Sequence, residues 1–226
     1  MKVFWKRNSV KFLENYILEN NIETIVTTGP PHSLHLIGLE LKRKLNINWI
    51  SDFRDPWVNL NYLNRFHLLP FVKKYHKKLR DKVINNSDAV IVTSKRLKEL
   101  YSEINSNIFL VTNGYDYSVT AVKLDKKFSI SHVGSLYNER NPEFLWDIID
   151  ELSKNLQGFK KDLQINIIGN NNKKIKQELG KREFNDCIVY HDYVEHKKAI
   201  EFMCSSQVLL MLEVDDNESS YAIPGK

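Results

Sequence analysis

The feature that most constrains the fold of this sequence is an alternation of short β-branched runs with longer segments of helical periodicity. Between the runs, apolar residues recur every three or four positions, as at Leu34, Ile37 and Leu41. Strands that alternate with helices form parallel sheets with helices packed on both faces. The sequence therefore predicts an α/β protein. The predicted strands are 22–28, 48–51, 88–93, 108–112, 128–133, 163–168, 187–190 and 208–212.

The strand pattern stops and restarts around a polar, aperiodic stretch at 117–127, which is the predicted interdomain linker. It separates a first domain, 1–116, from a second, 128–226. Residues 1–120 hold 18 Lys and Arg against 11 Asp and Glu, whereas 121–226 hold 15 against 17. This asymmetry indicates two units with different partners. Each half is short for a doubly wound domain, so truncation at both ends is expected.

Several classes of protein are disfavoured. The first twelve residues lack the apolar core of a signal peptide, and no apolar run approaches the roughly 18–20 residues of a membrane span. Cys187 and Cys204 match no metal-ligand spacing and are expected to be reduced. Neither a Walker loop nor GxGxxG is present. We expect a cytoplasmic protein without a metal or cofactor, bound peripherally, if at all, to the inner face of the membrane.

The turn after the first strand carries the first group of candidate residues. Gly29 and two prolines make it rigid, and Ser33 is predicted to be the N-cap of the next helix. Ligands of open α/β sheets bind at the carboxyl ends of the strands, where helix N-termini also attract anions. His32 and Ser33 are therefore candidate ligands of a sugar hydroxyl. The alternative is a stiff connector.

A second group of candidates follows the next strand. Asp52, Arg54, Asp55 and Trp57 crowd one turn. Carboxylates that bind hydroxyls and an aromatic face that stacks on a ring are typical of a sugar-binding cleft. Because packing explains such polar loop residues less easily, their presence favours a role in ligand binding over a structural role. The alternative is an ion pair between Arg54 and one of the aspartates, with Trp57 in the core.

The third group follows the first strand of the second domain. Gly134 allows close approach of the backbone to a ligand, and Arg140 lies just ahead of a predicted helix N-terminus. The helix dipole and the guanidinium together favour a diphosphate there. Asn141 is the predicted N-cap, followed by Pro142. A loop with a surface arginine is the alternative.

A basic segment, 73–82, lies within a long helix predicted over 66–85. With the apolar residues ahead of it, this segment is typical of a surface for anionic lipid headgroups or for nucleic acid, or of a solvated helix face. No nucleic-acid motif accompanies it, and we expect no nucleic-acid partner.

Taken in order, several passages resemble family-four retaining glycosyltransferases of the GT-B fold, of the bacterial surface-polysaccharide type. They are TTGPPHSLHLIGLELKRKL, WISDFRDPW, NGYD, HVGSLYNERNP, and VLLMLEV running into IPGK. The resemblance implies two Rossmann-like domains, the first holding the acceptor and the second a UDP- or GDP-linked sugar. It implies a hexosyl transfer with retention of configuration, without a metal, in which basic side chains stabilise the leaving diphosphate.

The resemblance also assigns roles to residues. Gly134 and Ser135 match the loop beneath the diphosphate, and Arg140 matches the basic residue that binds it. Asp55 falls near an acceptor-side polar residue that acts as base or orienter. The remaining predicted donor-side residues are Asn141, Gly169, Tyr193 and Lys226, and the predicted acceptor-side residues are Gly29, His32, Ser33, Arg54 and Trp57. The paired glutamates of the family are not found, since the first would fall near Tyr221.

The resulting prediction is a glycosyltransferase of polysaccharide biosynthesis that moves a sugar from a nucleotide-sugar to a lipid-linked or polysaccharide acceptor. The segment 73–82 is the predicted contact with an anionic membrane surface. Two alternatives remain: a non-catalytic nucleotide-binding or partner-binding module, and another GT-B enzyme such as a sugar-nucleotide epimerase.

Overall fold

A computed structural model describes residues 3–58, 69–114, 123–137, 140–170 and 172–212. These residues form two compact units, one within 1–115 and the other within 116–214. Each unit contains a four-stranded sheet in which every pairing is parallel. The predicted α/β class is confirmed. Most of the predicted linker, 117–122, lies outside the described residues.

The first unit has the strand order β1-β2-β3-β4. Its elements are α1 (Val3–Glu19), β1 (Thr24–Gly29), α2 (Ser33–Lys44), β2 (Asn48–Phe53), α3 (Pro70–Asn86), β3 (Ala89–Val92), α4 (Lys95–Ser102) and β4 (Ile108–Leu110).

Helices cover one face of this first sheet. Trp49, Phe53 and Val90 alternate along their strands and are buried against α2, α3 and α4. On the opposite face Val26 of the edge strand β1 is 61% exposed and Phe109 is 54% exposed. The prediction of helices on both faces is therefore wrong for the described part of this sheet. Each connection between consecutive strands leads to the next strand in the same direction across the sheet. Because such connections are right-handed, they place all their helices on the same face of the sheet.

The second unit has the strand order β7-β6-β5-β8. Its elements are β5 (Phe128–Val133), α5 (Glu143–Asn155), α6 (Phe159–Asp162), β6 (Leu163–Ile168), α7 (Lys173–Leu179), β7 (Ile188–His191), α8 (His196–Ser205) and β8 (Val208–Leu209).

The second sheet has different chemistry on its two faces. Leu163, Ile165 and Ile167 of β6 are buried in one cluster with residues of α5 and α7. On the other face Asn166 donates a 3.0 Å hydrogen bond to the Ser131 hydroxyl, which also accepts from Ser206 after α8. The chain steps from β5 to β6 and β7 and then returns to the other side of β5. The boundary between β5 and β8 is thus a topological switch point, where open α/β sheets bind ligands.

Three helix starts differ from the sequence prediction. Ser33 is the first residue of α2 rather than its cap; His32 precedes it and makes no side-chain cap bond. Helix α3 begins at Pro70, whose fixed φ suits the first helical position, and 66–68 lie outside the described residues. Helix α5 begins at Glu143, one residue later than predicted. Asn141 is not its cap, because its side-chain oxygen accepts a 2.8 Å hydrogen bond from the Trp146 indole.

The buried face of α5 differs from the one that its sequence pattern indicates. The helical spacing of Phe144, Leu145, Ile148, Ile149 and Leu152 favours these residues as the buried face, whereas the structure buries Trp146 and Ile149 and leaves Phe144 79% exposed. Burying the large Trp146 ring turns the helix away from Phe144. Ser94 is the N-cap of α4, since its hydroxyl accepts a 3.2 Å hydrogen bond from the Leu97 amide.

Candidate functional site

The parallel register of β1 and β2 brings two of the predicted turns together. Gly29 pairs with Phe53, and the amide of Arg54 donates a 3.1 Å hydrogen bond to the Gly29 carbonyl. Arg54 is exposed and Asp55 is half-buried beside it. Within the described residues Arg54 forms no ion pair with either neighbouring aspartate; Asp52 instead accepts a 2.7 Å bond from the Thr28 hydroxyl. The exposed guanidinium and the Asp55 carboxylate are available to a ligand.

Trp57 belongs to a buried aromatic cluster rather than to an open cleft. Its side chain is 3% exposed, and its ring stacks on that of His32 with 5.3 Å between centroids. Its indole nitrogen donates a 3.2 Å hydrogen bond to Nδ1 of His76. In this structure no face of Trp57 is open to a sugar ring. Trp57 therefore packs in the core, which was the alternative to a role in sugar binding.

His35 was not among the candidate residues from the sequence, yet its ring lies beside that of His32. His32 immediately precedes α2 with helical backbone angles and His35 lies in the first turn, so their three-residue spacing places the two side chains on one face. The His35 ring stacks on Phe53 at 4.3 Å between centroids and shares a 2.9 Å hydrogen bond with the Thr27 hydroxyl. The three-residue spacing, next to a strand ending in an aromatic residue, was the signal that would have found the pair.

Burial keeps both imidazoles neutral. It lowers the pKa of His32 from 6.5 to about 4, although the nearby Pro56 carbonyl favours the protonated ring without completing a hydrogen bond. Burial and the neighbouring His32 lower the pKa of His35 to about 3. Among the described residues, both nitrogens of His32 and Nε2 of His35 have no hydrogen-bond partner, and all three atoms are buried. A neutral imidazole both donates and accepts, so an enclosed water molecule would satisfy these atoms.

Gly29 is required by the same two rings. A Cβ atom at this position would lie 2.7 Å from Nε2 of His35 and 2.8 Å from Nδ1 of His32. Ser33, the other candidate of this turn, opens α2 and lines the groove between α2 and α3. The structure thus brings Gly29, His32, Arg54 and Asp55 together, and directs Ser33 to a different surface.

The candidate donor site lies at the carboxyl ends of β5 and β6. Gly134 and Gly169 follow these neighbouring strands with φ of 133° and 118°, in a region that favours glycine. The Gly134 amide donates a 2.8 Å bond to the Ile168 carbonyl. The Leu136 amide donates to the Asn170 carbonyl at 3.3 Å, which ties the two loops together. Half-buried Ser135 lies between these bonds, at the topological switch point.

The close approach of the two glycine loops predicts the effect of Gly169→Ala. A Cβ at Gly169 would lie 2.8 Å from the Gly134 carbonyl oxygen. Backbone strain alone costs about 1–3 kcal/mol, and the contact adds to it. Thermal unfolding of the second unit should reveal a Tm lowered by roughly 4–8 °C per kcal/mol.

Two glycines provide graded controls for this prediction. Gly158 also has a positive φ, of 86°, but its Cβ would meet nothing within 4 Å, so Gly158→Ala should show strain without a clash. Gly114→Ala should be close to neutral, because that position also has open space and no positive φ is found there. Equal effects at Gly158 and Gly169 would contradict the proposed clash.

The remaining donor-side candidates are placed unequally. Arg140 is exposed just before α5 and makes no ion pair with a described residue. Asn141 is engaged, since its amide nitrogen contacts Glu178 at 3.4 Å while its oxygen accepts from Trp146. Tyr193 follows β7 and is 91% exposed. Lys226 lies outside the described residues.

Within the described residues, no group of three or more His, Cys, Asp and Glu side chains is placed to hold a metal ion. Likewise, none of the helices described has the length and apolar character needed to cross a membrane.

No protein family model matches this sequence, and no curated protein sequence matches it. Solved structures do match. Those of glycosyltransferases among them confirm the predicted GT-B architecture of two parallel-sheet units. The apo form of the lipopolysaccharide outer core galactosyltransferase WaaB is similar with a TM-score of 0.63 at 14% identity, over 94% of this chain and 56% of WaaB.

Two further structures show the range of the similarity. HepE of Anabaena in complex with UDP has a TM-score of 0.63 at 10% identity, over 88% of this chain and 55% of HepE. A putative UDP-N-acetylglucosamine 2-epimerase from Listeria monocytogenes has a TM-score of 0.53 at 12% identity, over 90% of this chain and 56% of the epimerase. The chain spans a little over half the length of these proteins, and identities this low show the fold alone.

Proposed function

We propose that this chain provides the donor-binding and acceptor-binding units of a retaining, family-four glycosyltransferase of polysaccharide biosynthesis. The donor is a UDP- or GDP-linked hexose and the acceptor is lipid-linked or a polysaccharide. The observation that carries the proposal is the pair of glycine loops, Gly134 and Gly169, at the carboxyl ends of β5 and β6, of which the Gly134 loop borders the switch point of the second sheet. The backbone of these loops can approach a diphosphate closely. The exposed guanidinium of Arg140 follows the Gly134 loop in the sequence.

In this proposal the chemistry is electrostatic. Backbone amides of the Gly134 loop and the Arg140 guanidinium stabilise the charge that develops on the leaving diphosphate, a role that needs no metal ion here. Gly169 and Tyr193 lie on the nucleobase side. Transfer with retention proceeds by front-side attack of the acceptor hydroxyl, without a protein nucleophile.

The acceptor is proposed to bind at the turns after β1 and β2. Asp55 orients the attacking hydroxyl, Arg54 binds a polar or anionic group of the acceptor, and the buried nitrogens of His32 reach the acceptor through a bridging water. The proposed location is the cytoplasm, at the inner face of the membrane.

A second candidate is a sugar-nucleotide epimerase, favoured by the similarity of the fold to the Listeria protein. An epimerase uses the same donor site without a sugar acceptor. Incubation of the protein with a UDP-sugar, with and without acceptor glycans, separates the two: an epimerised nucleotide-sugar in the absence of acceptor would favour the epimerase. A non-catalytic module would bind nucleotide and release no product in either case.

The donor site is tested by Arg140→Ala. Losing a charged hydrogen bond to a diphosphate costs about 1.5–3 kcal/mol, so Kd should rise by roughly ten- to a hundredfold. A thermal-shift titration with UDP, GDP and their sugar conjugates measures this change and identifies the base. Stabilisation by about 2.7 kcal/mol is expected for the parent protein at 100 times Kd.

Lys161→Ala is the matched control, because this exposed lysine sits at the amino end of β6, at the opposite edge of the sheet from Gly169. Its nucleotide affinity should be unchanged. Equal weakening in both variants, or no stabilisation of the parent by any nucleotide, would contradict the donor site.

A further inference from the structure

The loop that carries Arg140 is fixed to the core of the second unit at its first end, by Leu136. The Leu136 amide donates a 3.3 Å hydrogen bond to the Asn170 carbonyl, and the Leu136 carbonyl accepts one of 3.3 Å from the Asn172 amide. The Leu136 side chain is buried in the apolar cluster that includes residues of α5 and α7. Backbone and side chain together therefore hold this end of the loop in one place.

The other end of the loop is fixed by the side chain of Asn141. Its oxygen accepts a 2.8 Å hydrogen bond from the Trp146 indole, and its amide nitrogen donates to the Glu178 carboxylate of α7 at 3.4 Å. An indole nitrogen only donates and an ionised carboxylate only accepts, so these two partners fix the orientation of the amide group. Trp146 is buried and packs against Phe184 with 6.0 Å between ring centroids. Asn141 is thus tied both to the core and to a neighbouring helix.

Arg140 lies between these two anchors, immediately before the second. Its amide donates a 2.9 Å hydrogen bond to the Tyr137 carbonyl, and the Asn141 carbonyl accepts one of 3.0 Å from the Glu143 amide. The Arg140 side chain itself is exposed. Its guanidinium therefore projects from a backbone whose direction is set by Asn141. A side chain that starts from a fixed backbone has less freedom to lose when it binds a ligand.

The surroundings of Asn141 do not favour its direct contact with a diphosphate. Three carboxylates line the hollow between α5 and α7 beside it: Glu143, Asp150 and Glu178. The basic residues of this hollow are Lys181 and Arg182, and Arg182 already pairs with Asp150 at 3.1 Å. Like charges repel a diphosphate from the hollow. In addition, the side-chain oxygen and nitrogen of Asn141 already have partners within the protein.

We propose that Asn141 is a positioning residue, which holds the backbone at 140–141 so that the Arg140 guanidinium is directed to the diphosphate of the nucleotide-sugar. Trp146 and Glu178 act with Asn141, because they hold its side-chain amide in place. The inference rests on the proposed donor site at the Gly134 loop. It differs from the role that the sequence predicts for Asn141, which is direct binding of the donor.

Isothermal titration calorimetry of the full chain with UDP and GDP tests this inference. Asn141→Ala should raise Kd by roughly three- to tenfold, the cost of ordering one long side chain on binding. In the Arg140→Ala background the same change should leave Kd unaltered, because no guanidinium remains to be positioned. A direct contact between Asn141 and the nucleotide would instead weaken binding by the same factor in both backgrounds.

An exchange of hydrogen-bonding groups between two positions provides a rescue experiment. Asn141→Asp together with Glu178→Gln keeps an acceptor for the Trp146 indole and moves the amide donor to α7, without a change in net charge. This double variant should bind the nucleotide as tightly as the parent protein. Asn141→Asp alone sets two carboxylates against each other, so it should bind the nucleotide more weakly than the double variant.

Asn185→Ala is the matched control. The Asn185 side chain donates a 3.1 Å hydrogen bond to the Gly180 carbonyl, and the residue precedes β7, at the opposite edge of the sheet from Gly169. Its Kd should equal that of the parent protein. Asn141→Ala leaves the Trp146 indole without its acceptor, so circular dichroism at the titration temperature checks that each variant is folded. If Asn141→Ala unfolds, the comparison of Asn141→Asp with the double variant decides the result.

The outcomes separate this inference from the proposed donor site. Absence of nucleotide binding by the parent protein, or an unchanged Kd in Arg140→Ala, would overturn the donor site and the positioning role with it. When Arg140→Ala weakens binding as expected, three results overturn the positioning role alone. They are an unchanged Kd in Asn141→Ala, equal weakening by Asn141→Ala in both backgrounds, and failure of Glu178→Gln to restore binding to Asn141→Asp.

Discussion

Trp49→Ala should destabilise the first unit by about 3–5 kcal/mol, the cost of truncating a large buried aromatic residue. Trp49 is completely buried in the centre of the helix-covered face of the sheet. Its indole nitrogen also donates a 2.9 Å hydrogen bond to the Thr27 hydroxyl. Truncation therefore leaves both a cavity and a lost hydrogen bond. Urea unfolding followed by circular dichroism, at low protein concentration, measures the change.

The helix opposite Trp49 allows a sharper version of this experiment. A Cβ at Gly38 of α2 would lie 2.4 Å from Nε1 of Trp49, so Gly38→Ala alone should overpack the core and cost about 1–3 kcal/mol. In the Trp49→Ala background the indole contact is removed, while the Thr27 methyl, 2.7 Å from the same Cβ position, remains. The alanine should then cost less than it does in the parent, helped by its preference over glycine in a helix interior of about 1 kcal/mol.

The double-mutant cycle should therefore show a coupling free energy within the range of roughly 0.5–3 kcal/mol found for residues in contact. Gly114→Ala in both backgrounds is the control, because its Cβ meets nothing within 4 Å. Strict additivity of Gly38→Ala and Trp49→Ala would mean that the two residues do not pack together.

The second large effect is on the pH dependence of stability. In the unfolded chain His32 and His35 have the ordinary histidine pKa of 6.5. In the folded protein their pKa values are lowered to about 4 and about 3. Between these limits the unfolded state binds more protons, so the free energy of unfolding falls as pH falls. Each histidine should contribute a slope approaching about 1.4 kcal/mol per pH unit. The full contribution is present above pH 6.5.

Urea unfolding at pH 7.5, 6.0 and 5.0 measures this slope. The interval avoids most carboxyl titration, since an ordinary glutamate has a pKa of 4.5. His32→Gln with His35→Gln should flatten the dependence of the first unit. His191→Gln, in the second unit, should leave it steep. A flat profile for the parent protein between pH 7.5 and 5.0 would show that the histidine pair is not buried and neutral.

The sequence predicted strands better than helix boundaries, for a physical reason. A strand such as 163–168 is marked by a β-branched, apolar run, and the structure has the same limits for β6. A helix start depends on which backbone groups need partners. Local sequence rules predict that the Asn141 side chain caps the helix, but its oxygen accepts a hydrogen bond from the Trp146 indole instead. Long-range packing decided that position.

The part of the candidate site that could be predicted from the sequence is the part that strand order determines. Carboxyl ends of adjacent parallel strands must meet, so the proximity of Gly29 to Arg54 and of Gly134 to Gly169 follows from strand order. The sequence pattern did not indicate how deeply each side chain would be buried. Trp57 and His35 became a buried cluster because α2 and α3 close over β2. Exposure of this kind depends on contacts distant in sequence.

The exposed edge strand β1 has a kinetic consequence for work with this chain. Its sequence, TIVTTG, contains no charge and no proline, the features by which natural edge strands resist pairing with other chains. When heat opens the first unit, this strand is a template for association with a second molecule. Aggregation then competes with refolding, and a thermal scan reports a rate of inactivation that depends on protein concentration and scan speed.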